Sequence, residues 1–347
     1  MELQQRINAF SNLGDVLRMH LSDDGNGSNT NEVLSNALSR AEQANGWFDQ
    51  ENLNFAVRQW AGLLTPEKLS GWMDAYDASQ EAFEVVGIVT AGNIPLVGFH
   101  DLLSVLICGS RAEVRLSKND QHLLPALVEI LETLEPGFKG QTNFTSDKLA
   151  GFDAVIATGS NNTARYFDHY FGRYPHIIRR NRNGVAVLDG SESTTELEAL
   201  AEDIFRYYGL GCRNVSKIFI PEAYDFDPFF NAMFSRRSVI NHHKYMNNYD
   251  YNKAVYLMSD IPLLDNEFML LKEDSSYASP IGVVYHETYK NLDDLVSRLS
   301  HDREHIQCVV SKLGLQQSLQ FGQAQLPALN DYADGVDTVD FVLNTSQ

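Results

Sequence analysis

The sequence predicts an α/β fold of two lobes, each a parallel sheet with crossover helices, and three observations carry that expectation. From residue 84 onward, short apolar β-branched runs alternate with longer helical patterns, as strands joined by crossover helices do. The alternation is played through twice, with the change near residue 180. The chain has 347 residues and 44% hydrophobic content, enough to bury two cores. Low-complexity tracts, sequence repeats and an obvious linker are all missing from the sequence, so the lobe boundary is soft.

Residues 1–80 read as mostly helical, interrupted by the Gly/Ser/Asn-rich stretch 23–30, which reads as a loop. The first lobe then follows as strand 84–91, helix 96–107, strand 112–116, helix 121–134, strand 153–157 and helix 160–171, a Rossmann-like series. Pro95 is placed in the first turn of its helix, where a missing N–H costs nothing. The second series is strand 185–188, helix 195–208, strand 215–220, helices between 225 and 256, strand 282–286, helix 290–300 and strand 306–310. These assign 1–180 to a cofactor-binding lobe, 181–325 to a catalytic lobe and 326–347 to a tail. In that tail 336–343 looks strand-like, able to pair with a neighbour or with its own chain.

Composition excludes several functions. A formal charge of -19 would repel nucleic acid and anionic membrane surfaces, since phosphate binding rests on clustered Lys and Arg. No run of about 18 apolar residues occurs, and the first residues lack the basic and apolar regions of a signal peptide; the expectation is a soluble, cytoplasmic protein. The three cysteines are Cys108, Cys212 and Cys308. Cys108 and Cys308 lie in apolar runs and read as core, with no disulfide framework. His242 and His243 would face different sides of a helix with no partner cluster nearby, so no metal is expected.

Cys212 sits in Gly209-Leu-Gly-Cys212-Arg-Asn-Val, after an amphipathic helical stretch and before a strand. Two glycines beside it free the backbone to turn and leave room for a carbonyl to approach the sulfur and nearby amides. A small half-buried thiol in a helix-to-strand loop fits the same residues. Upstream, Glu84-Val-Val-Gly-Ile-Val-Thr-Ala-Gly-Asn93-Ile-Pro closes a buried strand with an asparagine whose amide points above the sheet. Such amides serve as oxyanion donors, and losing one costs roughly 100- to 1000-fold in rate; alone, the same string is an Asn turn before a helix.

Taken together, the Gly-Asn93-Ile-Pro-Leu turn, Thr158-Gly-Ser160 and Gly209-Leu-Gly-Cys212 resemble, in order and spacing, the aldehyde dehydrogenase superfamily. The strings Arg179-Arg-Asn-Arg-Asn-Gly-Val-Ala-Val-Leu188 and Phe321-Gly-Gln-Ala-Gln-Leu-Pro-Ala-Leu329 are most similar to its acyl-CoA reductase branch, the family of the fatty acyl-CoA reductase of bacterial luminescence. The resemblance implies two Rossmann-like three-layer lobes with the active site in the cleft between them. It also implies a cysteine nucleophile at Cys212 with Asn93 as oxyanion donor. At the end of the second strand of the first lobe, where the superfamily carries a basic residue against the adenosine ribose, stands Arg115, followed by Ser117 and Lys118. Two cations suit the 2′-phosphate of NADPH better than the bare ribose of NADH, which remains the alternative cofactor; solvated charges at a strand end are the plain reading. Thr158, Gly159 and Ser160 open a helix whose dipole favours a pyrophosphate, or whose serine merely caps it. The Gly-rich dinucleotide fingerprint is absent, as the superfamily implies.

Two departures matter. Hydrolytic members carry a Glu-Leu-Gly-Gly-like string whose glutamate activates water, where this chain has Arg179 to Gly184 with no carboxylate, which disfavours water attack on an acyl-cysteine. The Glu-x-Phe-Gly-Pro string that holds the nicotinamide ribose is replaced by Tyr277-Ala-Ser-Pro-Ile-Gly282. The expected activity is reduction of a fatty acyl-CoA to its aldehyde by NADPH through an S-acyl-cysteine. Two alternatives stay open: an acyl-phosphate reductase of the glutamate semialdehyde dehydrogenase type, and a weakly active acyl-accepting subunit fed by a synthetase or transferase partner. The superfamily implies a homo-oligomer.

Overall fold

The structure is a computed structural model and describes residues 1–22, 28–77 and 82–343. The chain divides into two compact units, residues 1–180 with 328–347, and residues 181–327.

The first unit opens with four helices, α1 (Leu3–Leu21), α2 (Asn29–Ala44), α3 (Gln50–Leu63) and α4 (Pro66–Met73). Their starts are written in the sequence: Ser28, Asp49 and Thr65 each accept a backbone N–H two or three residues into the helix, and Pro66 occupies the first turn of α4. Ser28 caps α2 and Asn29 and Thr30 belong to it, so the expected 23–30 loop does not extend past residue 27; residues 23–27 lie outside the described residues. Then come β1 (Val85–Val89), α5 (Phe99–Cys108), β2 (Arg111–Arg115), α6 (Leu123–Leu134), β3 (Thr142–Thr145), β4 (Ala154–Thr158), α7 (Asn161–Phe171) and β5 (His176–Arg179). The five strands form a parallel sheet in the order β3-β2-β1-β4-β5. β1 and β4 lie at its centre, and Val86, Ile88 and all of Ala154 to Ala157 are 0% exposed. One face is covered by α1 to α6 and the other by α7, through Val89, Ala157 and Phe167.

The second unit holds β6 (Asn183–Val187), α8 (Thr194–Phe205), a 3-10 turn at Arg206–Gly209, β7 (Val215–Pro221), α9 (Phe226–Met233), α10 (His243–Met258), β8 (Leu264–Asp265), β9 (Leu270–Glu273), β10 (Val283–Tyr289), α11 (Leu292–His301) and β11 (Ile306–Val310). Its sheet runs β11-β6-β7-β10-β9-β8, parallel except for the last pair. α11 covers one face through Leu295 and Leu299 against Val185, Val187 and Phe219. The aromatic stretches 226–234 and 245–251 supply core here: Phe229, Met233, Tyr245 and Tyr249 are buried, whereas Tyr251 is exposed.

After Pro327 the chain returns to the first unit and ends its described part in α12 (Thr338–Leu343). The strand-like tail is thus a helix. Thr338, Val339, Val342 and Leu343 are buried, a spacing of one, four and five residues that makes a helical stripe although the segment is rich in β-branched residues of strand-like type. The segment is tied down by polar contacts. Trp72 donates to the Tyr332 hydroxyl at 2.7 Å, Tyr76 donates to Asp337 at 2.6 Å, and the His100 ring meets the Leu329 carbonyl at 2.8 Å. Arg179, paired with buried Asp101 at 2.5 Å, donates to Thr338 Oγ1 at 3.0 Å.

Two further expectations are corrected. The helix placed at 96–107 begins only at Phe99, because Leu96 has φ of 58°, incompatible with a helical turn; Pro95 lies in the preceding turn. The helix placed at 195–208 stops at Phe205, since Tyr207 and Tyr208 are left-handed.

Candidate active site

In a parallel sheet all strands deliver their following loops to one edge. The strand order of the first unit reverses between β1 and β4, and open α/β sheets bind ligands outside the carboxyl ends of strands at such a switch point. Asn93 follows β1, Arg115, Ser117 and Lys118 end and follow β2, and Thr158, Gly159 and Ser160 end and follow β4, so all seven share the carboxyl edge of three adjacent strands.

The turns there are closely fitted. Thr90 N–H donates to the Arg115 carbonyl at 3.1 Å, and Ser117 N–H donates to Thr90 Oγ1 at 3.0 Å. A Cβ on Gly92 would stand 2.5 Å from Ser117 Oγ, and one on Gly159 would stand 2.9 Å from the Phe167 ring; both positions need glycine for close approach. Buried Asn45, unremarked in the sequence, donates to the Asn119 carbonyl at 3.1 Å and so anchors the β2 loop to the helical layer. Ser160 caps α7, accepting from Thr163 N–H at 3.3 Å. Arg115 and Lys118 are exposed and, among the described residues, form no ion pair. Asn93 is half-buried.

Cys212 belongs to the second unit and is exposed, on the loop between the Arg206–Gly209 turn and β7. That loop is fixed from beneath by two residues that sequence reading passed over. Asn214, 3% exposed, donates from Nδ2 to the carbonyls of Asp203, Ile204 and Arg206, and its Oδ1 accepts Gly211 N–H at 2.8 Å. One side chain thereby satisfies the carbonyls left over where α8 ends and pins the glycine preceding Cys212. Asp203, 0% exposed, accepts the N–H groups of Gly322 and Ala324 at 2.6 and 2.9 Å. Burial outweighs those bonds and nearby Arg213 and pushes its carboxyl up to about 7. Arg213 donates from Nε to the Ala324 carbonyl, so the string beginning at Phe321 buttresses the cysteine loop.

The backbone before Cys212 is unusual. Tyr207, Tyr208 and Gly209 have φ of 53°, 58° and 78° in succession, and each tyrosine in that region costs about 1–2 kcal/mol. Tyr208 stacks on His242 with centroids 4.0 Å apart. A cavity of about 30 Å³ below, bordered by Tyr208, Asn214, Tyr245, Met269 and Ile281, has room for little more than a water.

Gly184 explains part of the Arg179–Leu188 string. A Cβ there would lie 2.5 Å from the Arg213 carbonyl and 2.8 Å from that of Asn214, and Gly184 N–H donates to the latter at 3.0 Å. Cys308, expected in the core, is half-buried because β11 is an edge strand; Cys108 is buried, and none of the three is in a disulfide. The Tyr277–Gly282 segment is held by Ser216 Oγ donating to the Tyr277 carbonyl at 2.7 Å and by the Tyr277 hydroxyl donating to Asp302 at 2.6 Å. Beside it, fully buried Lys217 pairs with Glu287 at 2.6 Å.

Among the solved structures similar to this one are several aldehyde dehydrogenases. Aldehyde dehydrogenase 21 of Physcomitrella patens, solved with its product succinate, superposes with a TM-score of 0.68 at 11% identity, covering 99% of this chain and 84% of that one. KauB of Pseudomonas aeruginosa gives 0.61 at 14% identity over 86% of this chain and 69% of that one. An NAD-dependent benzaldehyde dehydrogenase of Corynebacterium glutamicum gives 0.61 at 11% identity over 86% and 74%. At these identities the likeness establishes the aldehyde dehydrogenase fold. No curated protein matches the chain, and no helix among the described residues is long and apolar enough to cross a membrane. The model of the LuxC acyl-CoA reductases matches residues 29–237, more than half of the chain and inclusive of every candidate residue from Asn93 to Cys212, so the protein belongs to the acyl-CoA reductase (LuxC) family and is an oxidoreductase of aldehyde chemistry.

Proposed function

We infer that the protein reduces an acyl-CoA thioester, of fatty acyl type, to the aldehyde with NADPH, through an S-acyl intermediate on Cys212. The observation that carries this reading is the cysteine loop: an exposed thiol on a backbone fixed from below by buried Asn214 and Asp203, in a chain of the acyl-CoA reductase family.

The carboxyl edge of the first unit fits a dinucleotide. It offers a switch point, the N-terminus of α7 for a pyrophosphate and, for a 2′-phosphate, two exposed cations that form no ion pair among the described residues. Arg115, Ser117 and Lys118 would take the ribose phosphate and Thr158, Gly159 and Ser160 the pyrophosphate. Bound there, the reduced nicotinamide supplies a hydride.

The Cys212 thiolate attacks the thioester carbonyl, forming a C–S bond, while the Asn93 side-chain amide donates to the oxyanion. The oxyanion collapses, the bond to CoA breaks, and CoA leaves as its thiolate. After hydride addition to the S-acyl carbonyl, the second oxyanion collapses with cleavage of the C–S bond, and the aldehyde departs with Cys212 returned as thiolate. The string Arg179–Gly184 contains no carboxylate that could act as a base toward water.

The test is absorbance of NADPH with purified protein and a panel of acyl-CoAs and acyl phosphates, with Cys212→Ala beside it. Oxidation that requires acyl-CoA and vanishes in the variant is expected. Turnover with acyl phosphate alone moves the protein to that reductase class; turnover only after a partner synthetase or transferase is added makes it a dependent subunit; wild-type activity in Cys212→Ala removes the mechanism.

A further inference from the structure

At the opposite end of β2 from Arg115, the turn entering the strand borders a cavity of about 140 Å³, walled by Arg6, Leu106, Gly109, Ser110, Phe138 and Gln141. A single water needs roughly 10–15 Å³ of such space, so the cavity takes a solute of several heavy atoms. The walls are polar in a particular way. Arg6 is 9% exposed; its Nε donates to the Ile107 carbonyl at 2.7 Å and its Nη1 to the Met1 carbonyl, and among the described residues it has no ion-pair partner. Glu2 acts on it only at longer range. Ser110 is 3% exposed and its hydroxyl has no hydrogen-bond partner.

Gly109 completes the arrangement. Its φ is +96°, and a Cβ there would stand 2.9 Å from Arg6 Nη1 and 3.6 Å from Nη2, so the guanidinium lies against a bare Cα. Capping the last carbonyls of α5 accounts for Nε. It accounts neither for Nη2 and the Ser110 hydroxyl, which are left without protein partners, nor for a void kept beside a buried charge. A buried cation without a counter-charge and a buried hydroxyl without a partner are both costly, and one ligand resolves both.

We propose that this cavity binds a small oxyanion, of the size of inorganic phosphate, held by the Arg6 guanidinium and the Ser110 hydroxyl. The site lies in the first unit at the amino end of β2, a strand's length from the candidate cofactor edge, and does not depend on the reaction assigned above.

Thermal unfolding of the full chain would be followed against phosphate and acetate, with chloride as the ionic-strength control. A saturable rise with phosphate is expected, weakened about tenfold in apparent affinity by Ser110→Ala, abolished by Arg6→Gln, and unchanged by Ser160→Ala at the cofactor edge. Ser110→Ala removes only an unpartnered hydroxyl, so it decides the matter even if Arg6→Gln fails to fold. Saturation by acetate with the same variant pattern also supports the site and assigns it to carboxylates. An equal response to chloride, a phosphate response untouched by Ser110→Ala, or one lost in Ser160→Ala overturns it.

Discussion

Asp203 makes the stability of the second unit depend on pH in a direction opposite to most carboxylates. Burial raises its folded-state value to about 7, against about 3.9 in an unfolded chain. The folded state therefore holds the proton more tightly, so the contribution is complete below pH ~4 and is lost as pH rises through 7. Three units at about 1.4 kcal/mol each give a loss on the order of 4 kcal/mol between those limits. Asp203→Asn stays neutral throughout, so it escapes that loss. It carries instead a fixed cost of about 1–3 kcal/mol, because its NH2 group must face one of the amides of Gly322 and Ala324 that the carboxylate accepts. The measurement is chemical denaturation of both proteins by far-UV circular dichroism from pH 4.5 to 8, compared as a difference so that all other titrations cancel. Wild type should be the more stable at pH 4.5 and should lose that lead by pH 8. A difference constant within about 0.5 kcal/mol would mean that the two amides keep Asp203 ionised at every pH, and the reasoning from burial would fail.

Other expectations follow from the same contacts. Gly184→Ala places a Cβ 2.5 Å from the Arg213 carbonyl, so the cysteine loop must shift; thioester reduction should fall by about tenfold or more, since misplacement near 1 Å costs up to about 100-fold, with Cys212 alkylation by iodoacetamide altered in parallel. Replacing Arg115 and Lys118 together with alanine should raise KM for NADPH about tenfold with little change in kcat or in KM for NADH; equal losses for both cofactors would remove the 2′-phosphate role. Asp101→Asn leaves Arg179 buried without its counter-charge, a loss of about 3–5 kcal/mol measurable by denaturation of the first unit, where all three tryptophans (Trp47, Trp60 and Trp72) report.

What the sequence made legible was whatever depends on local pattern. Val85–Val89 and Ala154–Thr158 are buried on both faces and read as continuous apolar runs, and the turns after them display their residues at the expected edge. The edge strands Thr142–Thr145 and His176–Arg179 were missed because they are short and partly polar. The tail 336–343 looks strand-like because Val336, Thr338, Val339 and Val342 are β-branched, whereas its helical stripe is set by partners more than 150 residues distant, with Arg179, itself paired with Asp101, donating to Thr338. Cys212 was visible from its glycines, but its supports were not. Asn214 and Asp203 look like ordinary polar residues until the fold brings three carbonyls to one and two amides to the other. The one signal available was an asparagine standing between the Gly211-Cys212 turn and the strand Val215–Pro221.

The two halves of the proposed chemistry are supported in opposite ways, and the difference suits their tasks. Around Cys212 every neighbouring support is satisfied inside the protein: Asn214 on the end of α8, Asp203 and Arg213 on the 322–324 backbone, Gly184 against the loop. A nucleophile that must meet an acyl carbon in one geometry gains from such fixed surroundings. At the carboxyl edge of the first unit the fit is made by backbone and glycines, while the charges of Arg115 and Lys118 stay exposed and, among the described residues, form no ion pair. Exposed cations hold an anion with a strength that salt reduces, which favours exchange of a cofactor consumed at each turnover. KM for NADPH should therefore rise with ionic strength between about 0.05 and 0.5 M, while the rate of Cys212 alkylation stays nearly constant; a cofactor affinity indifferent to salt would place the phosphate on buried groups instead.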